Sequence, residues 1–197
     1  MAKRIKSKKA RVSEKQQEMN GHMVTSANQC DWEKVEAWLD AGADPNTPGE
    51  IGRTALMFAA MKDQSDIADG LLHKGAQVNK GDQFGRTALM WAAIFGSAEV
   101  ADLLLRAGAK VNQVDQVGRT ALMWAARNGR LKVCSLLIDK GATLDKRDMG
   151  KKTALMDAAE EGHKDVIRLL LKKGADRNLK DSEGRDAAYH LSHGCGL

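Results

Sequence analysis

GRTALMWAAIFGSAEVADLLLRAGA, residues 85–109, holds the information that decides the fold. Thr87 precedes an apolar run, and its hydroxyl suits the cap of a helix N-terminus. Gly96 interrupts the run, and Gly108 follows the second half, where a helix end favours a left-handed residue. The stretch therefore predicts two short helices joined by a turn. Its first six residues recur: GRTALM begins at Gly52, Gly85 and Gly118, and KKTALM at Lys151, each 33 residues after the last. A Gly-Ala pair keeps the same register at Gly75, Gly108, Gly141 and Gly174, and an aspartate does so at Asp82, Asp115, Asp148 and Asp181. Three landmarks on one period identify an internal repeat. One unit of this size cannot bury its own apolar face, so neighbours must stack into a solenoid. Between Gly108 and Thr120, short polar residues alternate with Val111 and Val117, which suits an extended turn or hairpin.

The frame divides the chain. Full units are expected at 52–84, 85–117, 118–150 and 151–183, with a closing helix at 184–197. An irregular capping unit is expected at 19–51, where Gly42-Ala43-Asp44-Pro45-Asn46 keeps the second landmark but no TALM precedes it. With these landmarks in hand, residues 19–197 resemble the ankyrin-repeat family. That family usually has Pro where Ala55, Ala88, Ala121 and Ala154 stand, and His where Met57, Met90, Met123 and Met156 stand. Cys30 and Asp63 replace its inter-helix Gly, so both turns are expected to be strained. Gly70 falls inside a second helix, at a cost of about 1 kcal/mol against Ala. The resemblance implies an all-α solenoid of stacked helix-turn-helix units with short β-hairpin-like loops. It also implies a protein-recognition module that needs no cofactor.

Composition agrees with one soluble domain. The 197 residues are 43% hydrophobic and 29% charged, enough for a core and outside the disordered range. Two prolines and the lack of a long apolar run exclude a collagen-like chain and a membrane span. The three cysteines, Cys30, Cys134 and Cys195, are scattered and odd in number, which argues against a disulfide framework and for a reducing compartment. A cytoplasmic, monomeric protein is expected, or a nuclear one in a eukaryotic source. The charge is uneven. Of 31 basic and 26 acidic residues, seven and two lie in residues 1–18, leaving 24 of each in the body. The tail lacks an apolar face and an h-region, so it is expected to be disordered and not a secretory signal.

Helical geometry points to a candidate surface. At about 100° per residue, Trp91, Ile94 and Phe95 fall roughly 200°, 140° and 240° from the core residue Leu89. The same count puts Phe58 and Met61 outward one unit earlier and Trp124 outward one unit later. Ankyrin-like stacking would set this row on the concave side, with Ile51, Phe84 and Val117 at the hairpin tips beside it. Contiguous apolar surface of this kind marks a binding site, and Trp and Phe dominate such sites. The competing reading is that Trp91 and Trp124 pack together and fill a groove. Toward the C-terminus the row turns charged, with Arg127 at the border and Asp157, Glu160 and Glu161 beyond it, where a basic group of the partner is expected. Beside it run Arg53, Arg86, Arg119 and Lys152, whose regularity favours local hydrogen bonds to the aspartate series.

No enzyme is indicated. No Gly-rich phosphate loop follows a strand, and no nucleophile has a base at a motif spacing. His190, His193 and Cys195 lie close together but lack a fourth ligand, so no metal is expected. The favoured function is protein–protein interaction through the apolar concave surface, without catalysis. The alternative is association with nucleic acid or an anionic surface through the basic tail, because the neutral body offers no basic stripe.

Overall fold

Each Thr-Ala-Leu-Met segment starts a helix. The computed structural model describes residues 2–194, with side chains from Ser13 onward. Helix α1 spans Ala2–Asn28 and α2 Trp32–Asp40. Four pairs follow: α3 (Ala55–Met61) with α4 (Ser65–His73), α5 (Ala88–Phe95) with α6 (Ala98–Arg106), α7 (Ala121–Arg127) with α8 (Leu131–Asp139), and α9 (Ala154–Glu160) with α10 (Lys164–Lys172). Helix α11, Ala187–His193, closes the array. Helices α3, α5, α7, α9 and α11 stack as an inner row, and α2, α4, α6, α8 and α10 as an outer one. Among the described residues there is no strand.

The caps follow from the sequence. The hydroxyls of Thr87, Thr120 and Thr153 accept from the backbone N–H three residues on, at 3.3–3.4 Å. Thr54 makes no such bond, so the first full unit starts less firmly. Gly96 ends α5 at φ 86°, and a Cβ there would lie 2.8 Å from Arg130 Cδ. Glycine is needed twice over at this position. Where Cys30 and Asp63 replace the equivalent glycine, φ stays positive at 61° and 53°, so the expected strain is present. Lys151 at φ 59° is strained in the same way, because it stands where Gly52, Gly85 and Gly118 take positive φ, and Ile51 at φ 52° is a strained residue that the repeat pattern gave no reason to expect.

The core lies between the rows. Leu56, Leu89, Leu122 and Leu155, the methionines that follow them, and paired alanines are all buried. The small alanines let inner helices approach closely, and Val100, Leu104, Val133 and Leu137 close the layer from the outer row. Between units the chain repeats the same rungs. Gln83, Gln116, Met149 and Ser182 donate their backbone N–H to the carbonyls of Ile51, Phe84, Val117 and Gly150, at 2.9–3.0 Å. Asn79 Nδ2 donates to Gly108 O at 3.1 Å while Asn79 Oδ1 accepts from Lys110 N at 2.8 Å. Asn46 and Asn112 repeat this pair of bonds. Asp145 can only accept, and keeps the bond from Asp176 N at 3.0 Å.

Residues 2–18, expected as part of a disordered tail, are the opening turns of α1. The helix enters the fold at its other end: Met23, Val24, Ser26 and Ala27 are buried and stand 33 residues before Leu56, Met57, Ala59 and Ala60. Gly21 occupies the position of the capping threonine, so nothing stops the helix from continuing upstream.

Candidate functional site

The aspartate series builds the surface beside the inner helices. Asp82 Oδ1 accepts from the backbone N–H of Phe84 and of Arg86, both at 2.9 Å, which fixes the hairpin turn. Asp82 Oδ2 accepts from Arg86 Nε at 3.0 Å. Arg86 thereby lies over the next inner helix, 4.2 Å from the Trp91 ring centroid and 4.7 Å from that of Phe84. Arg53 lies 4.4 Å from the Trp91 centroid. Two guanidinium groups therefore cover the indole, and Trp91 is only 5% exposed. The expectation that Trp91 heads an exposed row is corrected by these arginines, which belong to loops that a helical wheel leaves out. Phe58 is also buried, against the end of α1.

The next unit is wired differently. Asp115 Oδ2 accepts from Trp124 Nε1 at 3.0 Å. Arg119 reaches forward instead, to Asp148 Oδ2 and Asp157 Oδ1, both at 3.2 Å. Asp157, expected on the surface, is fully buried. Burial pushes its carboxyl up to about 6 against the opposing pull of Arg119 and Arg127. Arg127 also pairs with Glu160 and Glu161, at 3.8 and 2.9 Å, and Lys152 Nζ donates to Glu160 at 2.8 Å. The charges expected to meet a basic partner are thus largely met within the chain. The reading of the Arg series as local hydrogen-bonding groups holds for Arg86 and Arg119.

In the last frame, Asp181 Oδ2 accepts from Arg185 Nε and sits 2.9 Å from His190 Nε2. Burial works to raise the Asp181 carboxyl, but the backbone N–H and guanidinium of Arg185, the backbone N–H of Glu183 and His190 together hold it well below the usual carboxylate range. His190 is therefore committed to Asp181, and among the described residues no group of three metal-ligating side chains occurs. Cys195 lies outside the described residues.

The exposed apolar groups are elsewhere. Ile51, Phe84, Val117 and Met149 stand on consecutive hairpin tips and are 36%, 45%, 50% and 76% exposed. Phe95, 45% exposed, is the one large helical residue of the expected row that remains open, its ring 6.2 Å from Trp91. Met61, Ile94 and Trp124 are half-buried beside it. Met149 was not among the sequence candidates. It stands one position before the Ile51, Phe84 and Val117 register, so alignment of the units alone passes over it.

No helix among the described residues is long and apolar enough to cross a membrane. No curated protein matches the chain in sequence. A family model described as ankyrin repeats, in three copies, matches residues 22–115 and 107–181. Ankyrin repeats generally serve as protein–protein interaction modules. The shared period, the paired helices and this match over most of the length lead to one conclusion: the chain belongs to the ankyrin-repeat family.

Proposed function

We propose that this protein is a non-catalytic recognition module that meets a partner protein along its hairpin tips and the adjoining ends of the inner helices. The reading is carried by the consecutive exposed apolar tips Ile51, Phe84, Val117 and Met149, with Phe95 behind them. Apolar side chains repeated along one edge form a strip that costs free energy in water and gains it against a matching surface. The tips are tied to one another by the backbone rungs, so little freedom is lost when a partner docks. Phe84 is further held by the guanidinium of Arg86. Trp124, Met61 and Ile94 border the strip, and Arg127, Glu160 and Glu161 form a charged rim at its C-terminal end. Phe58, Trp91 and Asp157 act beneath it, as support.

The test is a pull-down with the full chain as bait, compared with a Phe84→Ser/Val117→Ser/Met149→Ser variant. A second variant, Leu131→Ser/Arg168→Ser on the outer helices, is the control. Circular dichroism verifies that all three are folded. A protein captured by the full chain and the control, and lost by the tip variant, is the expected result. Capture that ignores the tip substitutions, or vanishes on nuclease treatment, would overturn the reading.

A further inference from the structure

The first hairpin breaks the rule that the others follow. Four residues before Arg86, Arg119, Lys152 and Arg185 stands an aspartate, and four residues before Arg53 stands Gly49. The turn itself is preserved. Gly49 N donates to Arg53 O at 2.7 Å, as Asp82 N does to Arg86 O at 2.9 Å. Only the carboxylate is missing. It cannot be put back simply, because a Cβ at Gly49 would lie 2.5 Å from Val24 Cγ1. Among the described residues no carboxylate lies within ion-pair distance of Arg53, and its buried Nε makes no hydrogen bond. The neighbouring indole is in the same condition. Trp91 Nε1 is buried without an acceptor, whereas Trp124 Nε1 has Asp115. A buried N–H left without an acceptor is costly, and more so in a charged group.

Both orphan donors belong to one neighbourhood, since Arg53 lies on the Trp91 ring. Arg53 also lines a cleft of about 370 Å³ between the end of α1 and the first hairpin. Val24, Ile51 and Phe58 supply its apolar wall, and Thr25, Asn28 and Arg53 its polar side. Glu50 stands at the solvent edge, where water screens its charge. We infer that this cleft is a receptor for an acidic side chain of the partner protein, whose carboxylate completes at Arg53 the pairing that an aspartate supplies within the chain for Arg86, Arg119 and Arg185. The guanidinium fork suits a carboxylate, and the apolar wall suits the methylenes of a glutamate and an apolar neighbour. The site adjoins Ile51, the first of the exposed tips, and the inference rests on the proposed protein-binding role.

The experiment is an NMR titration of the ¹⁵N-labelled full chain. The probe is the blocked tripeptide acetyl-Leu-Glu-Leu-amide, with the Gln counterpart and inorganic phosphate as separate arms. The expected result is a saturable downfield shift of the Arg53 Nε–H proton with the Glu peptide and none with the Gln peptide. Arg86 Nε–H, already engaged by Asp82, should stay in place. Arg53→Gln should weaken the Glu peptide tenfold or more, and Arg53→Lys should recover part of that loss. Should Arg53→Gln fail to fold, the titration of the unaltered chain decides alone. An unmoved Arg53 resonance, equal response to the Gln peptide, or a response to phosphate only would overturn the inference. Capture of a partner indifferent to Arg53 would overturn it while leaving the recognition role standing. A shift at Arg53 in a chain that captures no protein would leave a carboxylate site at Arg53 but overturn the partner protein as its occupant, together with the recognition role.

Discussion

At the residue scale, burial and charge act against each other at Asp157. Its carboxyl titrates at about 6 in the fold and near the ordinary 3.8 when the chain is unfolded. Between those values the unfolded chain releases the proton first, so the contribution of Asp157 to stability falls as pH rises through that window. Asp157→Asn should flatten this slope, and the carboxyl ¹³C resonance of Asp157 should titrate with a midpoint about 6. Asp181 works in the opposite sense. Its depressed titration adds stability above the ordinary aspartate value, and that stability is lost as the solution is acidified below it. Trp91 and Phe95 make a second contrast. Both were read from one helix as outward residues, yet Trp91 is 5% exposed and Phe95 45%. Trp91→Ala should cost about 3–5 kcal/mol of unfolding free energy in urea, and Phe95→Ala no more than about 1 kcal/mol. The difference was not legible in the sequence, because the arginines that cover Trp91 come from two loops, one of them in the preceding unit.

Among the elements, α3 and α4 form the weakest pair. Thr54 gives no side-chain cap, Asp63 is held at φ 53°, and Gly70 interrupts α4. A Cβ at Gly70 would meet nothing within 4 Å, so Gly70→Ala should raise stability by about 0.5–1 kcal/mol in a thermal melt. Gly96→Ala should lower it, because φ is 86° and Arg130 fills the space. The helix pairs were legible because the capping-position threonine, the Gly-Ala pair after the second helix and the apolar period agree in every full unit. Helix α1 was less so. Its buried end, Met23, Val24, Ser26 and Ala27, keeps the apolar spacing but not the letters of TALM, and a tail with so many lysines and arginines hides the helix that precedes it. The tips were half legible: Ile51, Phe84 and Val117 follow the period, and Met149 departs from it by one position.

At the scale of the whole molecule, stability is a sum over units and the junctions between them. Asn79 spans one junction with two hydrogen bonds, and Asn79→Ala leaves Gly108 O and Lys110 N–H without it. A loss of about 1–3 kcal/mol is expected. Urea unfolding followed by circular dichroism should also show a shallower transition, because the stack then comes apart in two blocks. The rungs have a further consequence under load. They lie between successive units, so a pull on the two ends strains the junctions in series, and the array behaves as a soft spring that yields one coil at a time. Each yielding coil would free 33 residues, about 110–120 Å of extended chain. The coil built on α3 and α4 should open earliest, which would make the end bearing the unpaired Arg53 the part of the molecule most responsive to tension.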